Sequence, residues 1–251
     1  MTTPPSAQLL ALARSRVLAA TEVVCEKGIF DDATPTITKF GGQPYSPHGA
    51  VWPKCGTCAK SLTFVFQWNC NELVHGEKSD ELYQFFYCFD CGSWGEVPAD
   101  VVGAWMVRRH EHPRNEKHIL IVDPSDESYF VVPCRVSLRE CKSRPQWDEA
   151  DAELTSSCLD ELGRPSFEMM NQAFSEIGMP EYTFKTRIGG YPFWVQGKDT
   201  LDCGLCKSRM LLVAQIQSEE YAGTEWDDGG SVYLFQCRQH PDQMSMTLQC
   251  Y

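Results

Sequence analysis

The sequence predicts an α+β fold, mainly β: two tandem related β repeats, an N-terminal helix and a helical linker between them. Three observations lead there. Segments 38–67 ("TKFGGQPYSPHGAVWPKCGTCAKSLTFVFQ") and 186–215 ("TRIGGYPFWVQGKDTLDCGLCKSRMLLVAQ") share ten of 30 positions at a constant offset of 148, where unrelated segments would share roughly two. Each segment leads into apolar, β-rich runs, "LTFVFQW" then "ELYQFFYC" in the first and "MLLVAQIQ" then "SVYLFQC" in the second, which read as hairpins. Each hairpin closes on a second pair of ligand-type residues, Cys88/Cys91 and Cys237/His240, at an offset of 149. One inserted loop residue accounts for the change, and His240 takes the place of Cys91.

The elements follow in order. Residues 6–27 read as one helix, capped by Ser6, with Leu9, Leu12, Ala13, Val17, Ala20 and Val24 on one face and Gly28 at its end. In both segments an apolar residue followed by Gly-Gly-x-Pro makes a turn whose glycines reach backbone angles closed to other residues. "AWMVRR", "HILIVD" and "SYFVVPCRVSL" read as strands, and "RRHEHPRNEKH" (108–118) as a polar connection. Residues 147–162 and 166–178 read as helices. The chain thus divides into an N-terminal helical segment (1–35), a first repeat with extra strands (36–145), a helical acidic linker (146–182) and a second repeat (183–251).

Two four-residue sets carry the chemistry: Cys55, Cys58, Cys88 and Cys91, then Cys203, Cys206, Cys237 and His240. Thiolate sulfur and imidazole nitrogen are zinc donors, and a two-residue spacer on a tight turn lets both sulfurs of a knuckle face one ion. The expectation is two structural Zn2+ ions. Four protein donors per site leave no position for water, which favours a structural ion over a catalytic one. The remaining cysteines, Cys25, Cys70, Cys134, Cys141, Cys158 and Cys250, have no partner spacing and read as core or surface thiols.

Composition narrows the function classes. Of 251 residues 43% are hydrophobic, enough for a substantial core, and no apolar stretch is long enough to span a bilayer. With no secretory signal, thirteen cysteines suit a reducing compartment, so a cytoplasmic protein is expected. A net charge of −12, from 34 acids against 22 bases, repels phosphate backbones and attracts basic partners. Direct nucleic-acid and membrane binding are therefore not expected. No Ser/His/Asp, P-loop or dinucleotide fingerprint is present, so an enzyme is not the expectation. In "SEEYAGTEWDDGG" the acids Glu219, Glu220, Glu225, Asp227 and Asp228 surround Tyr221 and Trp226. They read either as a docking surface for a basic partner or as a solubilising loop. "WDEADAE" (147–153) reads as an acid-rich helix start.

The "TKFGGQPY" turn, with its following strand ending "FVFQW", resembles the YwqG-like family of bacterial proteins. The CxxC knuckles in both halves resemble the related programmed-cell-death-protein-2-like family, chaperones of a ribosomal protein. Bacterial YwqG-like proteins often stand beside secreted toxins, and the chain is similar to zinc-bearing immunity proteins of type VI secretion effectors with a VRR-Nuc nuclease domain. The resemblance implies a β-rich fold and a basic protein partner, a cognate nuclease effector whose DNA-binding surface would be occluded. A chaperone of a basic ribosomal protein is the alternative, and a zinc-dependent enzyme a more distant one.

Overall fold

The computed structural model describes residues 4–27, 34–75, 78–92, 103–114, 130–179, 184–199 and 201–251. Its elements in chain order are α1 (Ala7–Ser15), β1 (Leu18–Cys25), β2 (Lys39–Phe40), β3 (Thr63–Asn69), β4 (Glu81–Tyr87), α2 (Phe89–Gly92), β5 (Trp105–Glu111) and β6 (Cys134–Ser143). A 3-10 turn (Trp147–Glu149), α3 (Ala152–Ser157), α4 (Phe167–Glu176), β7 (Arg187–Ile188), β8 (Leu211–Gln217), β9 (Ser231–Gln236) and β10 (Met244–Gln249) complete them. The fold is mainly β with a few short helices.

All ten strands join one antiparallel sheet in the order β10-β9-β8-β7-β1-β6-β2-β3-β4-β5. The meanders β2–β5 and β7–β10 flank a central pair, β1 and β6, aligned from Leu18 opposite Ser143 to Cys25 opposite Val136. That pair is crossed: β1 lies beside β7, and β6 lies beside β2. The sheet curls until it nearly closes. Gln236 at the end of β9 donates to the Tyr83 hydroxyl of β4 at 3.0 Å, and Asp242 meets Arg109 of β5 at 3.5 Å.

The main apolar core fills the curl and draws on both meanders: Phe66, Trp68, Phe85 and Tyr87 pack with Ile188, Ile216, Leu234 and Met246. The opposite faces of the meander strands bury smaller clusters, Phe64 and Phe86 with Cys55 and Cys88, and Leu212 and Phe235 with Cys203 and Cys237. Strands covered on both faces are apolar almost throughout, which is why β3 and β4 read as continuous hydrophobic runs. A separate cluster ties α1, α3 and α4 together through Leu9, Ala13, Leu154, Met170 and Phe174.

Several elements differ from the sequence expectation. The helix expected over 6–27 ends at Ser15, and Leu18–Cys25 is a strand at the centre of the sheet. The β-branched Thr21, Val23 and Val24 suit a strand, and pairing on both edges outweighs the helical spacing of the apolar residues. Ser6 does cap α1, accepting from the Leu9 amide at 3.1 Å. The helix expected over 147–162 is a 3-10 turn followed by the short α3, whereas the helix expected over 166–178 is α4, capped by Ser166. The strand expected over 128–138 instead spans Cys134–Ser143. The strand expected at "AWMVRR" is β5, which runs on through His110 and Glu111, taken as part of a polar connection, and β10 had no counterpart in the expectation. "HILIVD" lies outside the described residues.

The same hydrogen bonds recur 148 residues apart. Gly41 N–H donates to Val65 O at 2.9 Å, and Gly189 N–H to Val213 O at 3.0 Å. Gln67 Oε1 accepts from the Tyr45 amide at 3.0 Å, and Gln215 Oε1 from the Phe193 amide at 2.9 Å. A register shift falls at Val65 in β3 and at Val213 in β8. Gly41 has φ of +54°, and a Cβ there would sit 2.3 Å from Val131 O, so no other residue fits that turn.

Candidate metal centres

Each cysteine knuckle is a tight loop shaped by its own backbone. Cys55 N–H donates to Lys60 O at 2.7 Å, Ala59 N–H returns to Cys55 O at 2.9 Å, and Ala59 sits at φ of +61°. The second knuckle repeats this: Cys203 N–H to Ser208 O at 2.9 Å, Lys207 N–H to Cys203 O at 2.9 Å, Lys207 at φ of +58°. The loop aims its amides at sulfur, as Thr57 N–H does to Cys55 Sγ at 3.4 Å.

The second pair of each set comes from the end of a hairpin strand. Cys88 follows β4 and starts the turn that carries Cys91, with Gly92 N–H donating to Cys88 O at 3.0 Å. A Cβ on Gly92 would lie 1.8 Å from the Tyr87 hydroxyl, which donates to Gly92 O at 3.1 Å. Cys237 follows β9, and its turn is closed by Gln243 N–H to His240 O at 2.8 Å.

These elements gather two clusters that can hold metal ions: Cys55, Cys58, Cys88 and Cys91, and Cys203, Cys206, Cys237 and His240. Within each cluster the donor atoms all lie within 4.8 Å of one another. The Cys55–Cys91 and Cys58–Cys88 sulfurs are 3.8 and 3.7 Å apart. In the second cluster Cys206 and Cys237 are 3.5 Å apart, and His240 Nδ1 is 3.7 Å from both Cys203 and Cys237. A tetrahedron with metal–sulfur bonds of about 2.3 Å has edges of about 3.8 Å, so the donor spacing fits a four-coordinate ion. All thirteen cysteines are free of disulfides.

One thiol of the first set and two of the second are biased toward thiolate. The Ser208 hydroxyl and amide pull Cys206 down to about 6, and the Cys206 amide lowers Cys203. Burial pushes Cys55 up, but the amides of Cys58 and Thr57 outweigh it and bring that thiol to about 7. Burial raises Cys88 and Cys237. A bound cation supplies the charge that keeps such thiols deprotonated.

The acidic loop is a rigid turn rather than a loose fringe. Glu219 and Thr224 exchange backbone hydrogen bonds at 2.8 and 3.1 Å, and Ser218 Oγ accepts from the Trp226 amide at 2.9 Å. Glu220, Tyr221, Glu225 and Asp228 are exposed, while Glu219 and Asp227 are half-buried. Trp226 is 1% exposed and lies inside the core of the other meander, stacked on Phe89 at 5.4 Å and edge-on to Tyr87 at 5.2 Å. Its ring is therefore not on the surface that the sequence suggested. Three of the four acids of "WDEADAE" are engaged within the chain. Asp151 caps α3 and, with Glu153, binds Arg16, while Glu149 accepts from Trp194 Nε1 at 2.9 Å and Arg209 at 2.8 Å.

One feature escaped the sequence reading: a cleft of about 340 Å³ where β3 and β4 face β7, β8 and β9. Its lining runs from Ala19 to Gln236, so no local motif could mark it. Among the described residues no helix is long and apolar enough to cross a membrane.

No curated protein matches the chain. A family model does match, over residues 38–240, a stretch that opens at the Thr38 preceding the first glycine turn and closes on the last candidate ligand. The chain belongs to that family, described as Domain of unknown function (DUF1963).

Proposed function

We propose that this protein is a cytoplasmic immunity protein that binds a nuclease toxin and occludes its basic DNA-binding surface without chemistry of its own. The observation that carries the reading is the net charge of −12 on a scaffold whose metal donors all come from protein. Carboxylates on such a surface replace phosphates against a basic partner, and the charge speeds encounter. Glu220, Glu225 and Asp228, exposed on a turn held by its own hydrogen bonds, are pre-organised for that role, which limits the ordering cost of binding. The resemblance to YwqG-like immunity proteins points the same way.

The metal in both clusters is zinc on this reading, because three or four thiolates with or without one imidazole at tetrahedral spacing are its ordinary structural set. The recurrent hydrogen bonds and the shared bulge position support an internal duplication in which each copy is pinned by one ion.

Co-expression with a cognate nuclease toxin tests the function. Survival that depends on this protein is the expected result; equal killing with and without it overturns the reading. Recovery of a basic ribosomal protein in place of a nuclease would favour the chaperone alternative. Replacing Glu225, Asp227 and Asp228 together by Lys should weaken toxin binding by tenfold or more at low salt, chiefly through the association rate. Unchanged affinity would move the interface elsewhere.

A further inference from the structure

Two distant segments meet at one surface and leave apolar side chains in the open. Val132 N–H donates to Ala222 O at 2.8 Å, which ties residues 130–133, just ahead of β6, to the acidic turn between β8 and β9. A Cβ on Gly223 would sit 3.7 Å from Val132 Cγ2, so the two backbones lie side by side. Burial alternates along the first segment: Val131 is 1% exposed and joins the main core, while Phe130 and Val132 are 67% and 46% exposed. In extended chain that alternation turns both outward. Tyr221, next to Ala222, is 45% exposed. Among the described residues the Phe130 and Tyr221 rings stand free of other rings and of cations.

The charge around these side chains is mostly of one sign. Residues 130–135 and 218–230 carry five acids, Glu219, Glu220, Glu225, Asp227 and Asp228, against one base, Arg135. Glu220, Glu225 and Asp228 are exposed, and among the described residues nothing pairs with their carboxylates. Their acceptor capacity is therefore open. The turn that carries them is held by Gly223 N–H donating to Glu220 O at 3.1 Å, with Gly223 at φ of +64°. An apolar centre inside a charged rim is the anatomy of a protein interface. The rim also selects the occupant. A second copy of this chain would set its own acids against these, and a nucleic acid would set phosphates there.

We propose that this surface binds a basic segment of a protein partner, its arginine or lysine stems lying on Phe130, Val132 and Tyr221 and its charged heads donating to Glu220, Glu225 and Asp228. Such side chains are apolar along the stem and charged at the tip, which matches an apolar centre bordered by carboxylates. An open ring face attracts the cation further. The two segments act together: the acidic turn alone exposes one ring, and residues 130–133 bring no carboxylate. The identity of the partner as a toxin rests on the function proposed above; the surface's preference for a basic segment does not.

The test titrates the metal-loaded full chain with N-acetyl-tetra-arginine amide at low salt, read by backbone amide NMR. Saturable shifts should centre on Phe130, Val132, Tyr221 and Gly223. Phe130→Ser combined with Tyr221→Ser leaves the charge unchanged at two exposed positions, so the melting temperature should hold while affinity falls about fivefold to tenfold. Glu220→Gln combined with Glu225→Gln should weaken the peptide about fivefold. Glu168→Gln combined with Glu176→Gln removes the same charge from exposed positions on α4 and should change affinity by less than about twofold. Shifts spread over every acidic face, or equal losses from the two glutamine pairs, would mean diffuse attraction and overturn the proposal. A serine pair that binds the peptide as well as the original chain would overturn it too. In co-expression, full protection by the serine pair would refute this surface and leave the immunity reading standing. Selective peptide binding without any protection by the original chain would do the reverse.

Discussion

Replacing Trp226 by Ala is the sharpest test of how the two halves are joined. The residue belongs to the loop between β8 and β9, yet its ring packs on Phe85, Tyr87 and Phe89, beside and beyond β4. It is 1% exposed. Truncating a fully buried Trp costs about 3–5 kcal/mol from lost burial and the cavity left behind, and the aromatic pairs lie within that loss rather than in addition to it. For a chain of this size 1 kcal/mol moves the midpoint by about 2–4 °C, so the melting temperature should fall by roughly 6–20 °C. Calorimetry of the metal-loaded variant reads this directly. Trp226→Phe separates packing from hydrogen bonding. The indole Nε1 is buried with no hydrogen-bond partner among the described residues, an omission that costs about 1–3 kcal/mol in the native protein. Phe loses part of the packing but relieves that penalty, so its net cost should stay below about 1.5 kcal/mol. Tyr221→Ala, at an exposed position five residues earlier, should change stability by no more than about 0.5 kcal/mol. Trp226→Ala costing under about 1 kcal/mol, or as little as Tyr221→Ala, would refute the claim that this loop holds the halves together.

Metal analysis should return two equivalents per chain, and a strong chelator should unfold the protein, since structural zinc contributes about 10–16 kcal/mol in small domains; circular dichroism retained after complete metal removal would count against a structural role. Glu149→Ala leaves the Trp194 indole and Arg209 without their carboxylate and should cost about 2 kcal/mol by chemical denaturation; Glu149→Gln, which keeps an acceptor, should cost less. His110, half-buried beside Tyr45 and hydrogen-bonded to Gln84 at 2.9 Å, is pushed down to about 4 by desolvation and then by Arg108. Its folded state therefore stays neutral while the unfolded chain takes up a proton. Stability should fall as pH drops from about 6.5 to about 4, by about 2 kcal/mol once solvent screening is allowed for. His110→Gln should flatten that part of the pH profile, and an unchanged profile would rule out this residue as its source.

The candidate metal donors were legible because the information is local. A CxxC knuckle is a loop of six residues closed by its own backbone, as Cys55 with Lys60 and Cys203 with Ser208 show, so spacing alone reports it. The same holds for the Ser6 cap and for the hairpin strands leading to Cys88 and Cys237. The chain position of His240 opposite Cys91 needed only the offset between two similar segments. The helix expected through Ala20 and Val24 failed because periodicity in a short apolar run cannot register the two neighbours that await it. β1 is a strand because β6 and β7 pair with it along both edges, and those partners lie more than a hundred residues away. The surface position that its acidic neighbours suggested for the Trp226 ring did not hold, for a related reason: aromatics among acids look surface-bound until the chain places a pocket over them.

By itself, then, the sequence determined the candidate ligand sets, the paired hairpins and the negative charge, all of which follow from residue type and short spacing. Tertiary structure decided the crossing of β1 and β6 between the meanders, the burial of Trp226 in the opposite half and the cleft walled by residues from Ala19 to Gln236. Each of these depends on contacts between distant segments, whose free energy comes from apolar surface buried jointly by both partners, and neither partner carries that quantity alone.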